Sequence, residues 1–207
     1  MSTLVLDTLE DRVSAKQSSV VDLGNQWIFI DDYTASSDAT ITFSENGIEQ
    51  GSPTDFADGY TYRIEADDVY GDVNLGQIYL QLYEGGAYRS ASNAYFWVYR
   101  GQNNSVYADA QGAATSGFYQ SAGMGTDSTN TISTWMEFKN LGSTTYKSQW
   151  YGWCGGSFDT AYTEYTMFGR VYTGADQRLA ATRIQLSPVT ATEITAGVFR
   201  LYKRKDT

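Results

Sequence analysis

The sequence predicts an all-β chain: an antiparallel β-sandwich of jelly-roll type with an N-terminal arm. Three observations lead there. Among 207 residues, Gly (20) and Tyr (17) are abundant and Pro (2) is scarce. Tyr, Thr, Val and Ile suit a pleated surface, while Gly, Asn, Ser and Asp punctuate turns. Apolar and polar residues alternate in one run of strand length after another. No helical period is sustained beyond the first 25 residues, and about ten short strands separated by turn signals describe a sandwich. The length suits one domain with enough chain to bury a core without staples.

In chain order, residues 1–25 stand apart. "LDTLEDRVSAKQ" places Leu6, Leu9 and Val13 at helical spacing, and Asp7 followed by Glu10 forms a capping-box pattern. A helix this short needs a partner. The segment therefore reads as an assembly arm that orders on a neighbour, ahead of a sandwich domain over residues 26–207. "QWIFIDD" and "ATITFS" open that domain. In "YTYRIEA", Tyr60, Tyr62, Ile64 and Ala66 oppose Thr61, Arg63 and Glu65. In "QIYLQLY", Ile78, Leu80 and Leu82 oppose Gln77, Tyr79, Gln81 and Tyr83. "YFWVYR" follows. In "ISTWMEFKN", Ile132, Met136 and Phe138 oppose Ser133, Trp135, Glu137 and Lys139. "YKSQWYG", "YTMFGRV", "AATRIQLS" and "AGVFRLYKR" complete the set. In the last run Phe199 and Leu201 face the core, and Gly197 marks a bulge or a close backbone approach. The cations after Tyr202 blunt a strand edge.

Composition removes several function classes. There is no histidine, hence neither the commonest general base nor the commonest metal ligand. The single cysteine, Cys154, allows no internal disulfide and reads as a buried thiol. No apolar stretch approaches the roughly 20 residues of a membrane span, and the N-terminus lacks the basic region of a signal peptide. Net charge is −10, against phosphate recognition. The charge is uneven: residues 31–84 hold twelve acids and one cation, Arg63, whereas residues 200–207 hold four cations and one acid. Lys203, Arg204 and Lys205 read either as a solvated end or as a docking tail that meets acid from residues 31–84 of a neighbouring copy. Asp55, Asp58, Glu65, Asp67, Asp68 and Asp72 crowd one stretch without EF-hand spacing, which leaves Ca²⁺ open; no cofactor is expected. Gly155-Gly156 reads as a turn. Two aromatic clusters, Tyr95, Trp97 and Tyr99, and Trp150, Tyr151 and Trp153, are candidate surface aromatics for sugar or protein contact.

One string carries a resemblance. "YTYRIEADDVYGDVNLGQIYLQLYEGGAYRSASNAYFWVYRG" resembles a pattern of tailed-phage structural proteins. It consists of an aromatic strand (residues 60–65), a strand running into a Gly-Gly loop (80–86) and a Tyr-led aromatic strand (95–100). The same proteins close on a strand with Gly197, Leu201 and Tyr202 in matching places of "EITAGVFRLYKRK". "MSTLVLDTL" resembles the start of tail-associated proteins of marine phages. The likeness spans residues 60–202, more loosely 1–9. Lys203 stands where the pattern has Gly, and a proline of the second strand is missing, with Gly71 and Asp72 near it. The resemblance implies a non-enzymatic virion component, in the tail fibre, a tail appendage or the capsid surface, that assembles as a homo-oligomer, trimers favoured. It would attach to other virion proteins through the arm and contact host glycan, without nucleic-acid or membrane partners.

Overall fold

The alternating runs do form strands, and all pair antiparallel. The computed structural model describes residues 26–49, 54–73, 77–88, 95–103, 106–114, 118–119, 124–158, 161–171, 180–189 and 191–206. The expected arm, with Leu6, Leu9 and Val13, lies outside them. Along the chain the strands are β1 (Ile28–Asp38), β2 (Ile41–Ser44), β3 (Gly47–Ile48), β4 (Tyr60–Gly71), β5 (Ile78–Glu84), β6 (Ala87–Tyr88) and β7 (Tyr95–Asn103). They continue as β8 (Val106–Ala114), β9 (Phe118–Tyr119), β10 (Ile132–Lys139), β11 (Gln149–Phe158), β12 (Ala161–Val171), β13 (Ala181–Pro188) and β14 (Ile194–Lys205). One sheet runs β1-β14-β4-β10-β11-β12-β7-β8. The second runs β3-β2-β13-β5-β6, with β9 also on β5. The chain is an antiparallel β-sandwich, as expected. Beyond the ten predicted runs, the structure adds β3, β6, β8 and β9. Three of these have two residues, too few to show a period, and β8 is rich in Ala, Gly, Gln and Asp, which have weak strand preference.

Packing follows the period of two. Tyr62, Ile64, Met136, Phe138, Phe199 and Leu201 point in from the larger sheet, and Ile41, Phe43, Leu80, Leu82, Ile184 and Leu186 from the smaller. Phe43 and Phe199 meet across the layers at 6.3 Å. Each such side chain contributes about 1.5–3 kcal/mol by leaving water. Cys154 is fully buried, as expected.

Two of the candidate surface aromatics belong to this core. Tyr95 is fully buried and Trp150 is 3% exposed; the rings meet edge-to-face at 6.0 Å. Both occupy the inward phase of their strands, where the smaller sheet covers them. The Tyr95 hydroxyl accepts a 2.9 Å hydrogen bond from the Leu82 backbone N–H. Leu82 falls between the part of β5 paired with β9 and the part paired with β6. Tyr95 thus satisfies a buried donor that neither short strand reaches.

β14 corrects a second expectation. It is an interior strand between β1 and β4, and its ladder with β4 continues to Lys205. The cations therefore do not blunt an edge. Lys203 Nζ reaches Glu45 Oε1 at 2.5 Å, at the β2–β3 turn, and Tyr62 Oη donates to the same carboxylate. Arg204 turns outward to Glu137, at 3.9 Å. Both charges are neutralised inside the chain, Lys203 by an acid of the 31–84 stretch but of its own copy. Lys205 is exposed. Gly197 behaves as expected: its φ is +149°, it sits where the β14–β4 register shifts, and a Cβ there would lie 2.8 Å from Val69 Cγ2. β4 bulges against the same place, with Asp68 at φ +55°.

Candidate functional site

The outer face of the eight-stranded sheet gathers a cluster of aromatic and charged side chains that the core leaves over. Strand register builds it in rows. One row runs Phe29, Tyr202, Arg63, Glu137, Tyr151, Phe168 across β1, β14, β4, β10, β11 and β12. The next runs Arg200, Glu65, Trp135, Trp153, Thr166. Every member has the phase opposite to the core residues of its strand.

Glu137 is the hub of the first row. Although it is on the outer face, it is only 6% exposed. Its carboxylate has Arg63 and Arg204 guanidinium nitrogens at 3.9 Å each and accepts a hydrogen bond from the Tyr151 hydroxyl. Arg63 also binds Glu65 at 2.8 Å. Indoles cover the cations: Arg204 lies 4.6 Å and Arg63 5.7 Å from the Trp27 ring centre, and Arg63 lies 5.1 Å from that of Trp135. Trp135 meets Tyr151 edge-to-face at 5.8 Å. Burial, then the hydrogen bond and charge of Glu137, push the Tyr151 phenol up to about 12, with Arg204 and Arg63 opposing. So held, Glu137 ties two cations and a phenol together on one face of the sheet.

In the second row, Trp153 Nε1 donates to Glu164 Oε1 at 2.8 Å. Its indole lies over Gly155, where a Cβ would fall 2.4 Å from Trp153 Cζ2. Gly155 and Gly156 are therefore not a turn: both are paired on β11, and Gly155 gives the indole room. Phe168 and Phe29 are each 52% exposed, and Phe29 packs edge-to-face on Tyr202 at 5.7 Å. At one end of the face a depression of about 300 Å³ opens, lined by Lys139, Gln149, Tyr151 and Phe168 over Trp150 and Gly169.

Of the candidate surface aromatics, Tyr151 and Trp153 are on this face and half-buried. Trp97 and Tyr99 pair in register with Gly169 and Met167; their side chains lie outside the described residues. Trp27, Phe29, Phe168 and Tyr202 also belong to this face, and no local sequence pattern singles them out as site residues. For Trp135 the signal was present, since placing Ile132, Met136 and Phe138 inward sends Trp135 outward. The acidic stretch disperses: Asp55 accepts from Thr182 at 2.6 Å, Asp67 binds Arg200 at 2.6 Å, and Asp72 holds the backbone N–H and hydroxyl of Thr192. Among the described residues no group of three acids or thiols is placed to hold a metal ion. Compared with known proteins, the chain matches no family model and no curated relative.

Proposed function

We propose that this chain is a non-catalytic structural component of a tailed-phage virion, a tail-fibre or tail-appendage head that takes part in host attachment through the outer face of its eight-stranded sheet. The observation that carries the reading is that face. It sets half-exposed Tyr151 and Trp153 and exposed Phe29 and Phe168 among fixed charges on a rigid sheet. Aromatics in such settings supply rigid contact area at low entropic cost. The buried acid there, Glu137, is held by two cations and a phenol, which suits a contact surface better than proton transfer. The ordered motifs that resemble those of phage structural proteins support the same reading.

Two measurements test it. Labelled antibody against the chain, applied to tailed particles from its source, is expected to decorate the tail. Decoration of the capsid lattice would make it a decoration protein, and no decoration at all would overturn the virion assignment. Light scattering coupled to size exclusion is expected to give a trimer, with or without residues 1–25. A monomer in both forms would refute a self-assembled head.

The depression beside Phe168 favours one further reading of the same face, a carbohydrate-binding module. It differs from the first in needing no virion.

A further inference from the structure

The depression at the end of the outer face is built by three strands. Lys139 and Gln149 are cross-strand partners on β10 and β11, and Tyr151 and Phe168 are partners on β11 and β12. Phe168 offers a ring that is half in water. Trp150 and Gly169 complete the lining. Arg63, Arg200, Lys203 and Arg204 each pair with a carboxylate, but Lys139 makes no ion pair among the described residues. The loop that turns β10 into β11 adds exposed Tyr146 and half-buried Lys147 beyond the same end. On a chain of net charge −10, the depression thus has an exposed cation, Lys139, in its lining.

We propose that the depression is a subsite for one acidic sugar residue, of the uronate type, in a surface polysaccharide; the inference rests on the attachment reading above. A volume of about 300 Å³ is at the small end of ligand pockets and suits one ring rather than a chain. Phe168 offers its ring to the C–H edge of the pyranose. The Gln149 amide, donor and acceptor, addresses neighbouring hydroxyls. The Lys139 ammonium meets the ring carboxylate in a charge-assisted hydrogen bond. A neutral sugar would fill the same space and leave Lys139 without its anion. An acidic peptide would satisfy Lys139 but brings no rigid apolar ring edge for Phe168.

The test is isothermal titration of the full chain with three probes: short oligogalacturonate, malto-oligosaccharide of equal length, and poly-glutamate. Oligogalacturonate is expected to bind, more weakly as salt is added, and the other two are not. Lys139→Gln should weaken binding about tenfold, and Phe168→Ala at least as much, with melting temperatures unchanged. The proposal is overturned by absent oligogalacturonate binding, by equal binding of malto-oligosaccharide or poly-glutamate, or by indifference to both substitutions. Tail decoration and a trimer do not depend on these titrations. If both hold while oligogalacturonate fails to bind, the attachment reading stands and the subsite is refuted.

Discussion

Gly169→Ala tests how the floor of the depression is made. A Cβ at Gly169 would fall 2.1 Å from Trp150 Cζ2, 2.2 Å from Cε2 and 2.4 Å from Nε1. Ordinary carbon contacts lie at about 3.5–4.0 Å, so the indole must retreat by more than an ångström. It has little room, being 3% exposed and pressed edge-on to Tyr95 at 6.0 Å. Overpacking of this kind costs roughly 1–3 kcal/mol, and the lower chain entropy of Ala offsets about 0.5–1 kcal/mol of it. A net loss of about 1–2 kcal/mol lowers the melting temperature by roughly 2–8 °C in a domain of this size. Thermal melts followed by near-ultraviolet circular dichroism read this directly. Adding Trp150→Phe shrinks the ring and should relieve part of the clash, giving a coupling of at least about 0.5 kcal/mol in a double-mutant cycle. Wild-type melting of Gly169→Ala, or strict additivity in the cycle, would refute the packing argument. Gly155→Ala is the control. Its Cβ meets Trp153 at 2.4 Å, but that indole is half-buried and can swing outward, so the melt should hold while the Trp153–Glu164 hydrogen bond is lost.

Three other outcomes follow from the same geometry. Tyr95→Phe leaves the Leu82 N–H without its acceptor and should cost about 1–3 kcal/mol by urea denaturation; an unchanged midpoint would show that another group takes over. The Tyr151 phenol is raised from 10.0 to about 12, so its contribution to stability is complete below the lower value and is lost as pH climbs through the upper. Tyr151→Phe should therefore flatten the alkaline fall in urea midpoint only in part, because burial pushes Tyr62 up further still; parallel curves for the two proteins would sink the assignment. Lys203→Gln removes the cation that Glu45 holds at 2.5 Å within one chain, so it should lower stability without changing the mass in light scattering. A change of assembly state instead would return Lys203 to a subunit boundary.

Much of the fold was legible because a strand buried on one face records that face in its sequence. β5 shows this best: Ile78, Leu80, Leu82 and Glu84 are buried and Tyr79, Gln81 and Tyr83 are not. Gly197 was legible for a similar local reason, as a glycine inside an otherwise regular strand. Strand order was not legible. The cations of β14 looked like an edge because charge commonly ends a strand there. Yet Lys203 and Arg204 have opposite phases, so one reaches Glu45 at the end of the sandwich and the other lies over Trp27 on the outer face. Their carboxylate partners, Glu45 and Glu137, are 158 and 67 residues away in the chain, beyond any local pattern.

The candidate site shows where the period of two stops informing. Phase says that Trp150 and Tyr151 point to opposite sides of β11, but not which side a second sheet will cover. A run such as "QWYGWCGG" has aromatic residues in both phases, so hydrophobicity cannot break the tie. The deciding residues are on the neighbouring strands: Phe138 and Met167, both buried, fix the Trp150 side as inward. Glu137 and Phe168 flank Tyr151 on the other side. Glu137 could have broken the tie only once its strand was known to neighbour β11, since a carboxylate with no cation beside it does not enter a core. The pairing of β10 with β11 thus carries the site's information, and that pairing is set by the 140–148 loop and by the match of two apolar faces rather than by any residue of the site.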